Sequence, residues 1–356
     1  MPQAKILFIL KKRQDYTVEH HSHIGLSTGL YNSATFMHDM LKEYGFESDI
    51  VVVTDNNDID REVTKFRPTH VIIEALWVTP TKFDVLQKLH PKVKWIIRLH
   101  SEIPFIANEG IAMDWIGEYS VYENVLIAAN SDRALDDVRF YIKEKNGWDK
   151  ETVNEKVIYL PNYYPQQYSR KYFNKDKDYI DVCCFGAVRP LKNHLNQAIA
   201  SIRFADKIRK KLRFNINVGR VEGKGEPVLN NLKGFFQQLE DSGHELVMHS
   251  WRHREDFLEL CHSMDMGLQV SFSETFNIVG ADLISQGVPL VASNEIPWAN
   301  PLFCANPEDS EEISEKMLRT YRFPQLNVIS NRYLLNENTT AARKAWVKYF
   351  KKYNSK

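Results

Sequence analysis

Short apolar runs alternate with amphipathic segments along the first half of the chain. Between the runs lie helical patterns such as Leu30–Tyr44 and Lys82–Leu89. The runs predicted as buried strands are Ile6–Leu10, Ile50–Val53, His70–Ile73, Trp95–Leu99, Val125–Ala129 and Val157–Leu160. Such alternation predicts parallel strands joined by crossover helices.

The second half of the chain repeats the scheme. Predicted strands are Ile180–Phe185, Arg213–Val218, Glu245–Met248, Met266–Val270 and Pro289–Ala292. Predicted helices are Asn193–Lys211, Glu226–Asp241, Arg254–Met264 and a final amphipathic helix, Thr339–Tyr353, with a solvated basic face. The pattern therefore predicts an α/β protein with two Rossmann-like, doubly wound domains.

A breaker cluster, Pro161-Asn-Tyr-Tyr-Pro165, ends the first half, and the polar stretch that follows is typical of a linker. The predicted organisation is an N-terminal domain (1–165), a linker (166–178), a C-terminal domain (179–332) and a C-terminal helix (333–356) that packs back on the first domain. Two such domains facing each other would place loops from both sets of strand ends along a common cleft.

Composition narrows the class of protein. The 356 residues include 46 Lys plus Arg and 46 Asp plus Glu, so the formal net charge is zero. This balance argues against a protein that binds nucleic acid or anionic membrane over its whole surface. No apolar run approaches the roughly 18–20 residues that span a bilayer, and the first run reads as a strand, so we expect a cytoplasmic protein. The four cysteines include no Cys-x-x-Cys and are expected to be packed thiols.

The segment Ser271–Pro289 has the most informative pattern. A strand ends near Val270, a short loop holds Glu274, and a helix is expected to begin near Asn277 and to end before Gly287. The N–H groups at such a helix N-terminus suit an anion such as a diphosphate. Asp282, inside the helix, is placed to accept hydrogen bonds from a vicinal diol.

This segment resembles the Glu, seven residues, Glu pattern of the retaining, nucleotide-sugar-dependent glycosyltransferases of family 4, which have the GT-B fold. Seven residues separate Glu274 from Asp282, and Gly287-Val-Pro289 resembles the Gly-x-Pro that follows in the family. The resemblance implies that Glu274 contacts the donor sugar and that Asp282 holds the ribose hydroxyls. Asp in place of Glu bears on donor preference rather than on reaction class. The intervening Thr275, Phe276 and Asn277 are assigned to the same donor site.

The loop Phe185–His194 resembles the family's Gly-Arg…Lys-Gly loop, whose cations clamp the donor diphosphate. Lys192 matches the Lys position well, whereas Arg189 is displaced from the usual place. The resemblance implies that both cations neutralise charge on the departing nucleoside diphosphate, a preorganised electrostatic contribution.

Other positions follow from the same resemblance. His100, at the end of a predicted strand, matches a family histidine that reaches the donor sugar near the reacting carbon, and Gly29 matches a glycine turn close to donor and acceptor. Trp251 falls where the family lines the nucleobase pocket; a packing role is equally open. Asn130, at the end of another predicted strand, is a further candidate for contact with the acceptor.

Three histidines in the long first loop, His20, His21 and His23, raise the alternative of a metal site. Two of them are neighbours and no acidic or Cys ligand completes a known spacing, so acceptor contact or loop polarity is preferred.

The sequence also bears on other classes of nucleotide-binding α/β protein. A nicotinamide dehydrogenase needs Gly-x-Gly-x-x-Gly, where the chain has Gly25-Leu-Ser-Thr-Gly29. A metal-dependent GT-A transferase uses Asp-x-Asp, and Asp58-Ile-Asp60 and Asp176-Lys-Asp178 match, but capping or solvation explains both. A GT-B sugar-nucleotide epimerase and a non-catalytic sugar-nucleotide-binding protein stay open.

The sequence thus predicts a retaining hexosyl- or pentosyltransferase that uses a nucleoside-diphosphate sugar as donor, with His100, Lys192 and Glu274 as catalytic residues. No metal and no cofactor are expected. The expected acceptor is a glycan, a lipid-linked glycan or a modified base in DNA.

Overall fold

The computed structural model describes residues 4–12 and 29–354. Two compact units divide them: residues 4–12, 29–165 and 339–354 form the first, and residues 166–338 form the second. The predicted histidine-rich loop, with His20, His21, His23 and Gly25, lies outside the described residues.

The first unit alternates strands and helices along the chain. Its strands are β1 (Lys5–Lys11), β2 (Glu47–Val53), β3 (His70–Glu74), β4 (Lys94–Arg98), β5 (Val125–Ala129) and β6 (Val157–Tyr159). Its helices are α1 (Gly29–Glu43), α2 (Asp58–Phe66), α3 (Phe83–Leu89), α4 (Ile103–Ile106), α5 (Ala112–Tyr119), α6 (Asp132–Asn146) and α7 (Lys150–Lys156). Among the described residues the strands form one parallel sheet of order β2-β1-β3-β4-β5-β6.

Both faces of this first sheet are covered, which explains the continuous apolar runs. One face contributes Leu7, Ile73 and Ile97 to a core with α2, α3, α5 and α6. The other face contributes Phe8 and Ile72 to a second core with α1.

The second unit repeats the arrangement. Its strands are β7 (Tyr179–Cys184), β8 (Lys211–Asn217), β9 (Glu245–His249), β10 (Met266–Gln269) and β11 (Leu290–Ala292), and its helices are α8 (His194–Lys207), α9 (Gly225–Gln238), α10 (Arg254–Ser263), α11 (Ile278–Ser285) and α12 (Ser310–Arg322). Within residues 166–338 the strands form a parallel sheet of order β11-β10-β7-β8-β9. All four cysteines are buried and free, as predicted.

The last helix, α13 (Pro324–Asn354), is longer than predicted. The sequence predicted a helix beginning only at Thr339, which is wrong because residues 324–338 are helical as well. In the part that belongs to the first unit, Trp346 and Phe350 are fully buried beside Phe8. The indole N–H of Trp346 donates to the carbonyl of Pro161 at 2.7 Å, which fixes this end of the helix on the sheet.

The strand order of the second sheet locates a crevice. From β7 the chain proceeds to β8 and β9 on one side, and then returns to β10 and β11 on the other. In open α/β sheets, ligands bind outside the carboxyl ends of the strands where the order reverses. A ligand site is therefore expected at the loops after β7 and β10. Among the described residues, no helix combines the length and the apolarity that crossing a membrane requires.

Candidate functional site

Lys192 and Glu274 form a buried ion pair at the reversal point of the second sheet. Lys192 lies in the loop after β7 and Glu274 in the loop after β10, and Nζ of Lys192 is 2.5 Å from Oε1 of Glu274. Only 7% of Lys192 and 9% of Glu274 is exposed. Nζ also donates to Oε1 of Gln269 at 3.3 Å. Two predicted site residues therefore contact each other directly.

Two asparagines in the left-handed conformation shape the loops that hold this pair. Asn193 (φ 59°) ends a 3₁₀ turn and starts α8, and its side-chain amide donates to the carbonyl of Val270 at 3.0 Å. Asn277 (φ 64°) caps α11 by accepting from the N–H of Gly280 at 2.7 Å. Asparagine tolerates this conformation better than most residues, because its short polar side chain bonds locally. These local hydrogen bonds restrain the backbone of both loops.

The charge on Glu274 is stabilised by its neighbours. Burial alone raises the pKa of this carboxyl group, but the charges of Lys192 and Arg189 outweigh burial and hold the pKa below its usual value. Glu274 is therefore ionised at neutral pH. An ionised Glu274 and a cationic Lys192 form a preorganised charge pair at the crevice.

Arg189 lies in the loop after β7, and Trp251 lies in the loop after β9. Nη1 of Arg189 is 3.7 Å from Oε2 of Glu222, whose other oxygen contacts Arg220. The guanidinium of Arg220 lies 5.8 Å from the ring centre of Trp251. A Cβ added at Gly219 would lie 2.8 Å from Cβ of Trp251, so the backbone passes close to the indole. Arg220 and Glu222 were not predicted as neighbours of the site.

Asp282 has a partner that the sequence reasoning also missed. Its side chain is almost fully buried in α11, and Oδ1 accepts from Nη2 of Arg254 at 2.7 Å. Arg254 is the first residue of α10, three positions after Trp251. A buried carboxylate inside a helix requires a partner, and that requirement is the signal that could have indicated a nearby cation.

His194, the first residue of α8, is buried and neutral. Burial, with the charges of Lys192 and Arg189, lowers the pKa of the imidazole to about 3. Neither ring nitrogen has a hydrogen-bond partner among residues 4–12 and 29–354.

The buried, neutral His194 should make the folded chain less stable as the pH falls. Its pKa rises from about 3 in the folded chain to 6.5 on unfolding, so acidification below pH 6.5 protonates the unfolded state first. We expect His194→Leu to reduce the fall in the free energy of unfolding between pH 7.5 and pH 5 by about 2 kcal/mol. Urea unfolding of both proteins at the two pH values measures this; equal falls would contradict it.

A second polar cluster lies in the first unit, where β3 and β4 end. The parallel register places Glu74 beside Arg98, and both side chains are fully buried. Nη1 of Arg98 is 3.1 Å from Oε2 of Glu74. The same carboxylate oxygen accepts a hydrogen bond from Nε2 of His100. We refer to Glu74, Arg98 and His100 as the β3–β4 cluster.

Two further segments close the β3–β4 cluster. Arg98 donates to the carbonyl of Leu160 at 3.1 Å, to Asn162 and to the hydroxyl of Ser33 at 3.3 Å. Ser33 belongs to α1, and Asn162 follows β6. The guanidinium is thus held by neighbours from four segments of the first unit.

The cluster fixes the charge state of His100. Burial and the charge of Arg98 lower the pKa of the imidazole, and Glu74 only partly opposes them. Burial raises the pKa of Glu74, but Arg98 and His100 outweigh it and lower the pKa overall. At neutral pH the structure therefore holds a neutral His100 against an ionised Glu74.

The other predicted residues lie as follows. Gly29 is the first residue of α1 and has open space around the position of a Cβ. Thr275 and Phe276 are buried, and the carbonyl of Phe276 accepts from the indole N–H of Trp298 at 2.7 Å. Asn130 is buried just before α6.

Both acids of the Asp58-Ile-Asp60 match have structural partners. Asp58 accepts from the N–H of Thr54 at 3.0 Å and pairs with Arg61, while Asp60 pairs with His90 at 2.7 Å. In residues 4–12 and 29–354, no group of three or more His, Cys, Asp or Glu side chains is arranged to hold a metal ion.

Comparison with known proteins identifies the fold. An α,α-trehalose-phosphate synthase (UDP-forming) from Burkholderia vietnamiensis is 11% identical, with a TM-score of 0.70 over 98% of this chain and 97% of its own. A sucrose-phosphate synthase from Thermosynechococcus elongatus is 11% identical, with a TM-score of 0.66 over 99% of both chains. The chain has the GT-B glycosyltransferase fold.

This result confirms the predicted fold class of two Rossmann-like α/β domains. The GT-B fold is also shared with Anabaena HepE in complex with UDP, which is 12% identical with a TM-score of 0.59 over 98% of this chain and all of its own. No family model and no curated protein matches the sequence.

Proposed function

We propose that this GT-B protein is a retaining glycosyltransferase, similar to family 4, that transfers a sugar from a nucleoside-diphosphate sugar to an acceptor hydroxyl. The observation that carries the proposal is the buried Lys192–Glu274 pair at the reversal point of the second sheet. A cation at this place meets the leaving diphosphate, and a carboxylate beside it meets the hydroxyls of the attached sugar.

The cations of the second unit support a mechanism without a metal or a cofactor. Nζ of Lys192 lies 2.5 Å from Oε1 of Glu274, and the charge of Arg189 also lowers the pKa of that carboxyl group. Positive charge fixed in a buried loop stabilises a developing diphosphate without reorganisation. His100, neutral and held by Glu74, is assigned to the donor sugar.

The titles of the structural neighbours guide the choice of donor. Anabaena HepE was solved in complex with UDP and with UDP and glucose, and the trehalose-phosphate synthase is described as UDP-forming. A UDP-hexose is therefore the first donor to test. For the acceptor we keep a glycan or lipid-linked glycan ahead of a modified base in DNA.

The test is incubation of the full chain with a panel of UDP-, GDP- and ADP-sugars. We expect release of nucleoside diphosphate with one donor class, at the same rate with and without EDTA. NMR of the product should show the anomeric configuration of the donor. Loss of activity on chelation would contradict the metal-free step. Conversion of the donor to its epimer would identify an epimerase instead.

A further inference from the structure

Gln269 is a buried glutamine at the carboxyl end of a central strand. It is the last residue of β10 and is 1% exposed. Glutamine is mostly an exposed residue, and a buried amide group that lacks hydrogen-bond partners destabilises a protein. Gln269 has partners at both ends of its amide group, and Lys192 is one of them. The bonds of this amide group therefore explain its place in the core.

A series of hydrogen bonds fixes the orientation of the Gln269 amide. At one end, Nε2 donates to the backbone carbonyl of Phe185 at 2.9 Å. At the other end, Oε1 accepts from Nδ2 of Asn277 at 2.8 Å, and Oδ1 of Asn277 accepts from the N–H of Gly280 at 2.7 Å. A backbone carbonyl only accepts and a backbone N–H only donates. The two ends of the series therefore determine which way both amide groups face.

The oriented amide presents its oxygen to Lys192. Oε1 of Gln269 is 3.3 Å from Nζ of Lys192, and Oε1 of Glu274 is 2.5 Å from the same nitrogen. The ammonium group thus has one neutral and one charged acceptor. Because Phe185 and Asn277 hold the Gln269 amide, the position of its oxygen does not depend on Glu274.

The two acceptors act differently on the charge of Lys192. Glu274 neutralises that charge, and in the proposed reaction its carboxylate contacts the hydroxyls of the donor sugar. A neutral amide oxygen holds the ammonium group in place without cancelling its charge. A carboxylate at position 269 would be a second negative neighbour of Lys192, and when ionised it could not donate to the carbonyl of Phe185.

We propose that Gln269 is a positioning residue for Lys192: its amide oxygen keeps the ammonium group directed at the donor diphosphate while Glu274 contacts the sugar. The inference rests on the proposed function, because it assumes that a nucleoside diphosphate binds at Lys192. Since Lys192 pairs with the residue assigned to the sugar, the phosphate that it meets is the one attached to the sugar. Gln269 acts through Lys192, so its effect should disappear when Lys192 is replaced.

The test measures how much affinity the second phosphate adds, as the affinity for a nucleoside diphosphate divided by that for the matching monophosphate. Calorimetry on the full chain with UDP and UMP, GDP and GMP, and ADP and AMP identifies the pair that the wild type binds best. In Gln269→Met, which keeps a similar length without the amide, we expect this ratio to fall about tenfold, the scale of one hydrogen bond to a charged group. The affinity for the monophosphate should change little.

Three further variants isolate the role of Gln269. Lys192→Ala should itself lower the ratio, and adding Gln269→Met to it should change the ratio less than about twofold. Gln269→Glu keeps an acceptor for Lys192 but adds a negative charge, so it should lower the ratio at least as far as Gln269→Met; it decides the question if Gln269→Met does not fold. Asn327→Leu is the matched control, because it removes a fully buried amide of the same unit that bonds the backbone of Leu290. It should cost stability and keep the wild-type ratio.

The outcomes separate the two proposals. A wild-type ratio in Gln269→Met or in Gln269→Glu, together with a lowered ratio in Lys192→Ala, would overturn the inference and spare the proposed function. A loss of the same size when Gln269→Met is added to Lys192→Ala would also overturn it, because Gln269 would then not act through Lys192. An equal loss in Asn327→Leu would reduce the effect to one of stability. Failure of the wild type to bind any of the nucleotides would overturn both proposals.

Discussion

Replacement of Lys192 by alanine should lower kcat of the sugar transfer at least about 100-fold, the effect of removing one preorganised charge-stabilising group. The proposed reaction adds one negative charge to the departing nucleoside diphosphate as its bond to the sugar breaks. Lys192 is 7% exposed, so its charge acts where water screens it poorly. Nucleoside diphosphate release at saturating donor measures the effect.

The partner of Lys192 gives a second readout. Glu274→Gln should also lower kcat by about 100-fold or more, because the carboxylate that meets the donor sugar is gone. The same variant should bind free nucleoside diphosphate more tightly than the wild type, since Lys192 no longer has a carboxylate 2.5 Å from Nζ. Opposite effects on turnover and on diphosphate affinity would not arise from a merely destabilised loop.

Lys177→Ala is the matched control for Lys192→Ala. Lys177 also belongs to the second unit and pairs with Asp265 at 3.1 Å, but these residues precede β7 and β10 instead of following them. The control should keep the wild-type kcat. Near-normal turnover in both Lys192→Ala and Glu274→Gln would mean that the site is misplaced, provided that the parent protein is active.

The strands could be predicted because they are buried on both faces. In β3 and β4, every position from Val71 to Ile73 and from Trp95 to Ile97 is buried, so the sequence of each strand contains a continuous apolar run. The same burial pattern predicts that Lys192 and Glu274 lie in loops that follow strands. The sequence does not predict that the two side chains contact each other, because the shape of both loops depends on the left-handed backbone at Asn193 and Asn277.

The first half of α13 was missed because its polar residues are typical of a loop. Asn327 is fully buried, and its amide group bonds both backbone groups of Leu290, at 2.9 Å to the N–H and 2.8 Å to the carbonyl. Asn327, which lies in a helix, therefore satisfies both backbone hydrogen-bonding groups of Leu290 in the edge strand β11. Asn331, one turn later, is buried for a similar reason and donates to the carbonyl of Asn327 at 3.0 Å.

The β3–β4 cluster could be anticipated only in part. Arg98 lies in an apolar run, and a charged residue in a buried strand needs a partner. The identity of that partner depends on the register between β3 and β4, which pairs Glu74 with Arg98. The length of the runs does not determine that register, so the sequence indicated His100 but not the carboxylate that holds it.

Glu74→Gln should reduce the stability of the first unit by about 3–5 kcal/mol, because it leaves Arg98 as a buried charge without its counter-charge. Both side chains are fully buried, so water cannot replace the lost carboxylate. The matched control is Glu47→Gln, which breaks the Lys5–Glu47 pair on the same sheet, where the Glu47 side chain is 61% exposed. That control should cost less than about 1 kcal/mol.

The measurement must report on the first unit alone, because two units do not guarantee a single unfolding transition. Hydrogen exchange read by mass spectrometry on peptides covering β3 and β4 gives that local free energy. Equal losses in Glu74→Gln and Glu47→Gln would contradict the assignment of a buried ion pair.

A double replacement separates the charge from the contacts. Glu74→Met combined with Arg98→Met removes both charges. The double variant should lose clearly less free energy of unfolding than the sum of the two single variants, because it contains no buried charge without a counter-charge. Some loss should persist, since Arg98 also donates to Leu160 and to Ser33. Strict additivity would mean that the two charges do not stabilise each other.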